Sequence, residues 1–407
     1  MNHTKYNYSK IVYFLLYLWL GLSAVSLSTI SEINSNVVII FGKIVILVRI
    51  SLMVLYVCNM FTNKIKIKDL FIFGFFMAVS ALAYLGSDKW LLFDILFVAI
   101  FWGDKLDYKK ILNMYYYVLI TATLVIIALY FVGVLPDFSY ERGNGLMRHS
   151  FGFSHPNTLG FILFVLSILY CLRKKVITFL DYILLIIIAV FTYVGPNSET
   201  CTVCILLMGS YCFIRDNNRV KSFKASLTKQ TKKKWQNIFI SGSIIILIML
   251  IYLVALRGAG AAFIAKISGT LYTRFRYGAY AIRQYGFSLW GQYIPMIGDG
   301  DILNGVDVSK YFTLDCLYFY LPIVIGLIPT AFFTLCYIHC MKISAHKGNK
   351  TLLAAAFITL VYSIAEVSAV TLFSAYLYIL AIAQVNYINI RDKENMFNNE
   401  LKRSKVE

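Results

Sequence analysis

Residues 37–60 read VVIIFGKIVILVRISLMVLYVCNM, with Lys43 and Arg49 as the only charges. Runs of this kind recur along the chain, each near the ~20 residues that a helix needs to cross a hydrocarbon layer. In lipid a backbone must satisfy its own polar groups, which leaves helices or closed barrels. Barrel strands alternate apolar and polar positions, whereas these runs are continuously apolar. The expected fold is therefore all-α, a polytopic integral membrane protein with about 12 transmembrane helices. The spans are expected near 11–30, 37–60, 69–86, 90–102, 111–135, 155–172, 177–194, 200–214, 238–256, 313–341, 351–367 and 370–389. Composition agrees, because only 14% of the 407 residues are charged, against about 25% in soluble domains. The first run is too long for a signal-peptide core and no small-residue cleavage site closes it, so it is expected to stay as a span.

Lys and Arg in the connecting segments set the expected orientation. Lys5 and Lys10, Lys64 to Lys68, Lys105 to Lys110, Arg173 to Lys175, the loop 215–237, Lys342 to Lys350 and the tail 390–407 all fall on one side. The intervening short loops carry few cations. Both termini are thus expected in the cytoplasm, in a cell-membrane protein forming a single membrane-embedded domain over 1–407. The net charge of +18 is accounted for by these anchors, with no nucleic-acid partner implied. The eight Cys fall mostly in apolar runs, and even Cys201-x-x-Cys204 has no second pair beside it, so they read as packing thiols.

Two outer segments stand apart. One is 136–154; the other, 257–312 between spans 9 and 10, is too long for a simple connection. The second carries Arg257, Lys266, Arg274, Arg276, Arg283 and Lys310, against the positive-inside trend, and an anionic partner at the outer surface would explain them. Within it, Arg276, Tyr280 and Arg283 share one face of an expected interfacial helix, with Leu271, Phe275, Ile282 and Tyr285 covering another. Arg offers a planar fork that bonds two phosphate oxygens at once.

The first segment ends in RHSFGFSHPNTLG, residues 148–160. Ser154 is expected to cap the sixth span and Pro156 to occupy its first turn. A helix N-terminus favours anions. Gly143, Gly145 and Gly152 would let backbone approach a ligand, and Arg142 and Arg148 would add positive charge. The same field disfavours an imidazolium at His155 and leaves a neutral base. The alternative is that His155 and Asn157 only cap the helix. Asp299, Asp301 and Asp307 read as loop acids, without the spacing of a calcium loop.

Three elements together resemble the Wzy-type polysaccharide repeat-unit polymerases of Gram-positive capsule and exopolysaccharide loci, part of the O-antigen polymerase and ligase group. They are 148–160; Thr273-Arg274 followed by AIRQYGFSLWG at 281–291; and Leu314-Asp315-Cys316-Leu317-Tyr318 followed by Gly326-Leu327-Ile328. Cys316 and Leu317 depart from the usual form of the third element. The resemblance implies a metal-independent glycosyltransferase without cofactor. It would move an undecaprenyl-pyrophosphate-linked glycan onto a lipid-linked repeat unit at the outer face. It implies His155 as base, Asp315 as its reserve, Arg274 with Arg142 or Arg148 on the pyrophosphate, and Asn157 or a nearby carbonyl orienting His155. Tyr277, Tyr280, Tyr285, Trp290 and Tyr293 would meet sugar rings. A chain-length regulator and a flippase would be its companions.

Two other classes compete. A lipid-linked oligosaccharide flippase, or another transporter, would place charges at mid-membrane, and Lys43, Arg49, Asp94 and Glu366 lie in or near apolar runs. A membrane O-acyltransferase would need a base near the first spans, where only His3 lies.

Overall fold

A computed structural model describes residues 3–62, 67–142, 146–216, 229–258, 260–299 and 306–384. Lys64, Lys66, Gly143, Gly145, Asp301, most of the basic loop 215–237 and the tail 390–407 lie outside the described residues, as does the side chain of Arg142.

The helices in chain order are α1 (His3–Val25), α2 (Ile30–Ile33), α3 (Ser35–Thr62), α4 (Ile67–Ser87), α5 (Leu91–Phe101) and α6 (Tyr108–Phe131). There follow α7 (Pro156–Arg173), α8 (Phe179–Val194), α9 (Glu199–Asp216), α10 (Lys229–Arg257), α11 (Ala261–Ile267) and α12 (Gly269–Tyr285). Last come α13 (Leu317–Tyr320), α14 (Leu327–His346), α15 (Lys350–Tyr362) and α16 (Leu372–Gln384). The fold is all-α apart from a short hairpin. Every one of the expected stretches overlaps a helix, but among the described residues seven, α1, α3, α4, α6, α7, α10 and α14, are long and apolar enough to cross a membrane.

The tenth expected span, 313–341, is not one helix. Residues 313–316 form no helix, α13 runs into a π turn at Leu321–Ile325, and Gly326 at φ 105° separates that turn from α14. Pro322 cannot donate to the helical ladder, and the positive φ of Gly326 cannot continue it. Likewise α15 stops at Tyr362, and irregular backbone carries Glu366 before α16. The segment 136–154 holds the hairpin β1 (Tyr140–Arg142) and β2 (Leu146–Arg148), which pairs Tyr140 with Arg148.

The Lys-bearing loops gather at one end of the bundle. There Asp107 N–H donates to Tyr13 Oη at 2.6 Å, and Asn349 Nδ2 donates to Tyr108 Oη at 3.0 Å and Gln384 Oε1 at 3.3 Å. At the other end the chain segments between helices are stitched by backbone bonds. Ser154 N–H donates to the Leu27 carbonyl at 2.7 Å, and His149 N–H to that of Gly195 at 3.1 Å. Two charges within the apolar runs find each other: Arg49 Nη2, from α3, donates to Asp94 Oδ2, in the first turn of α5, at 2.6 Å, and the guanidinium lies 5.7 Å from the Trp19 ring. Such pairing is the usual way to keep charge inside an apolar bundle.

Candidate functional site

A cavity of about 890 Å³ opens at the end opposite the Lys-rich loops. Its wall draws on separated stretches, 148–157, 197–204, 268–277, 298–299, 311–315 and 361–366 among the described residues. Close packing brings them together. Gly160 lets α7 approach the start of α9, for a Cβ there would sit 2.6 Å from Ser198 Cβ. Gly278 does the same for α12 against the ring of Phe319. An antiparallel bridge between Ile297 and Phe312, with N–H···O distances of 2.9 and 3.0 Å, ties Asp299 beside the strand-like run to Asp315.

His155, not Ser154, caps α7. Pro156 takes the first helical position, so the residue before it is the cap. The His155 Nδ1 accepts from Asn157 N–H at 3.0 Å, and its carbonyl accepts from Thr158 N–H at 3.0 Å. Pro156 has no N–H. The first-turn donors of α7 are thus spent locally, and this helix end is not the open anion site expected of it. The start of α9 borders the cavity instead, through Ser198, Glu199 and Thr200. The other His of the element, His149, meets Asp137 Oδ2 through Nδ1 at 2.6 Å and does not line the cavity.

A hydrogen-bonded chain crosses the cavity floor. Arg148, 5% exposed, donates from Nε to the Pro196 carbonyl at 3.0 Å and from Nη2 to Asn157 Oδ1. Asn157 Nδ2 donates to Glu366 Oε1 at 3.1 Å, and Arg274 Nη2 donates to the same oxygen at 2.8 Å. Arg274 Nε lies 3.6 Å from Asp315 Oδ2, which also accepts from Thr313 Oγ1 at 3.3 Å. Burial opposes the charge on Arg274, but the carboxylates of Glu366 and Asp315 outweigh it and hold the guanidinium above its ordinary pKa. Burial likewise pushes the Tyr311 phenol up to about 12, so at neutral pH its hydroxyl is a donor as well as an acceptor. His155 Nε2 meets Asp299 Oδ2 at 3.3 Å.

The structure therefore brings His155, Asn157, Arg148, Arg274 and Asp315 onto one cavity. It does not bring Arg276, Tyr280 or Arg283 there; these are exposed on the opposite face of α12, with Tyr280 packed edge-on against Phe312 at 5.3 Å. The face that enters the cavity is Thr273, Arg274 and Tyr277. The residues do share a helical face as their period implies, but α12 turns that face away from the cavity. Phe275, Gly278, Ala279 and Ala281 are its buried residues, and this small-residue seam fixes the rotation.

Nor is the lining a box of cations. Arg148 and Arg274 stand against Glu199, Asp299, Asp315 and Glu366. Sequence reasoning set Asp299 aside as a loop acid and missed Glu366 as a site residue. The signal for Glu366 was present: a lone acid at the end of an apolar run. Among the described residues no three His, Cys, Asp or Glu side chains converge as metal ligands do.

A second cavity, apolar and about 200 Å³, lies between α10, α13, α14 and α15. The stretch that ends α15 separates the two cavities. Leu360 and Ser363 face the apolar one, while Val361, Ile364 and Glu366 face the polar one. Compared with protein-family models, curated proteins and solved structures, the chain matches none.

Proposed function

We propose that this protein is an oligosaccharide repeat-unit polymerase of the Wzy type, with its cavity at the outer face of the cytoplasmic membrane. It transfers an undecaprenyl-pyrophosphate-linked glycan onto a lipid-linked repeat unit in capsule or exopolysaccharide synthesis. One observation carries the reading: three sequence elements far apart in the chain converge on one cavity. The first gives Arg148, His155 and Asn157, the second Arg274 and the third Asp315.

The lining suits a glycan. Carboxylates, Asn157, Thr313 and Tyr311 offer paired donors and acceptors for sugar hydroxyls. The volume lies near the top of the roughly 300–1,000 Å³ range of small-ligand pockets, as a site for both donor and acceptor sugars requires. The neighbouring apolar cavity suits a substrate that is part glycan and part hydrocarbon.

The chemistry follows from the network. The acceptor hydroxyl attacks the anomeric carbon, the bond to the lipid pyrophosphate breaks, and its electron pair leaves with the phosphate. Arg274 is the guanidinium placed to meet that charge. Glu366 and Asp315 fix its orientation, and no described residue accepts from its Nη1. Preorganised charge of this kind stabilises a departing anion without reorganisation at the moment of reaction. On this reading both termini and the Lys-rich loops face the cytoplasm.

Deleting the gene is expected to leave single lipid-linked repeat units on the outer leaflet, accessible to an impermeant glycan-labelling reagent in intact cells. Units confined to the inner leaflet would instead mark a flippase, and a polymer of full length lacking only acyl groups would mark an acyltransferase.

A further inference from the structure

We infer that the apolar cavity between α10, α13, α14 and α15 seats the isoprene units nearest the pyrophosphate, so that the protein recognises the lipid carrier as well as the glycan. This rests on the polymerase reading above and deepens it by giving the hydrocarbon chain a site of its own.

The wall turns its polar groups away from a ligand. Tyr252 Oη donates to the Tyr318 carbonyl at 3.1 Å, Tyr318 Oη to that of Leu360 at 2.9 Å, and Tyr337 Oη to that of Ala356 at 2.7 Å. Thr359 and Ser363 likewise donate their hydroxyls to backbone carbonyls one turn back in α15, at 2.8 and 2.7 Å. Hydroxyls spent in this way leave an apolar lining that suits hydrocarbon. A dry cavity of about 150 Å³ holds a benzene. The 200 Å³ here therefore takes roughly five to ten carbons, one or two isoprene units. The cavity lies where the tenth expected span is broken, with Leu321 and Pro322 of the π turn in its wall.

Its depth fits the chain of a lipid whose head is in the polar cavity. α10 runs from the Lys-rich end of the bundle to Arg257 at the other. Ile244, Ile248 and Tyr252, which line the apolar cavity, precede Arg257 by roughly 20, 14 and 8 Å of helix. That range falls mostly in the nearer half of a hydrocarbon core about 30 Å thick. The partition between the two cavities is thin. Asp315 lines the polar one and Leu317 the apolar one; Ile364 lines the polar one and Ser363 the apolar one. Leu317 N–H donates to the Ser363 carbonyl at 3.0 Å and closes the partition. Arg274 Nε is 3.6 Å from Asp315, and Asp315 is two residues, ~7 Å of extended chain, from Leu317. The first isoprene units are bonded directly to the pyrophosphate, so they are the part of the carrier within this reach. That adjacency to Arg274 favours the carrier's chain over a phospholipid's. The gain is one of fit, because the chain moves from lipid into an equally apolar site. A preference of about tenfold, rather than thousands, is the expected scale.

The test uses the full chain in liposomes with one repeat unit carried on two synthetic pyrophosphates, one polyprenyl and one a linear alkyl chain of equal length. The wild-type protein is expected to favour the polyprenyl form about tenfold in kcat/KM. Thr334→Phe and Ala369→Leu, from two different stretches of the wall, fill the cavity and are expected to bring that ratio near one. A ratio does not depend on the folded fraction, so a poorly folding variant still reads out, and the second variant checks the first. A diazirine on the second isoprene unit is expected to label α10 and α14, with labelling competed by undecaprenyl phosphate. Competition by phosphatidylglycerol instead would make the occupant a phospholipid acyl chain and overturn the inference. Equal use of both carriers by the wild-type protein, or an unchanged ratio in both variants, overturns it while leaving the polymerase intact. A wild-type protein that lengthens glycan on neither carrier, nor on natural lipid-linked units, overturns both readings together.

Discussion

Arg274→Ala is expected to reduce glycan extension by about 10²–10³-fold, the usual cost of removing a preorganised donor from a developing anion. The guanidinium is 12% exposed and holds Glu366, itself 10% exposed, at 2.8 Å, and Asp315 at 3.6 Å. Its loss leaves two carboxylates close together with no cation between them. Removing one partner of a buried pair costs about 3–5 kcal/mol, so folded yield should fall as well. The two effects separate in the double variant Arg274→Ala, Glu366→Gln. Neutralising the orphaned acid should restore yield, measured by monodisperse recovery in detergent, without restoring turnover. Arg274→Lys is expected to rescue poorly, because an ammonium cannot span two carboxylates in the geometry of the planar fork. Arg276→Ala and Arg283→Ala, on the exposed face of α12, should leave turnover little changed. Full activity in Arg274→Ala at normal expression would remove the proposed role of this residue.

Gly326→Ala is expected to destabilise the fold by at least about 2 kcal/mol. The residue sits at φ 105°, which alone costs an L-residue roughly 1–2 kcal/mol. A Cβ there would also lie 2.4 Å from Gly291 N and 2.6 Å from the Trp290 carbonyl carbon. Gly291, also at φ 105°, would in turn press on the Val324 carbonyl oxygen at 2.7 Å. The 288–292 backbone touches the junction between the π turn and α14 here, with Gln292 N–H donating to Val324 O at 2.9 Å and Leu327 N–H to Ser288 O at 2.9 Å. Backbone cannot give way as a flexible side chain does, so the contact must open. The measurement is the thermal midpoint of the detergent-solubilised protein beside Gly133→Ala, whose φ is also positive but which has no neighbour within 4 Å. Equal midpoints would show that the close approach carries no weight. This contact also explains why the second and third sequence elements both contain a glycine: Gly291 ends one and Gly326 begins the other half of the same junction.

What the sequence made legible follows from the range of each signal. Apolar runs announce helices because their cause is local, and all of them overlap helices here. The break at Pro322 and Gly326 lay inside a run of such hydrophobicity that its two punctuating residues were read through. The convergence of 148–157, Arg274 and Asp315 was legible only through resemblance, because nothing local brings residues so far apart to one place. The rotation of α12 was not legible, since Arg274 and Arg276 are equivalent cations until Gly278 meets Phe319. Charge balance was misjudged for a related reason. A sequence does not show what a guanidinium is bonded to: Arg148 is held by Pro196 and Asn157, and Arg274 by Glu366. Buried cations require partners, and the acid that holds Arg274, Glu366, sits 92 positions away.

The most direct test supplies the purified protein in liposomes with a lipid-linked repeat unit alone, without nucleotide sugar and with a chelator present. Glycan length is read by mass spectrometry and lipid pyrophosphate by its release. Stepwise lengthening, with one undecaprenyl pyrophosphate freed per added unit and abolished by Arg274→Ala, is the predicted result. Movement of intact units across the bilayer with no new glycosidic bond would contradict it.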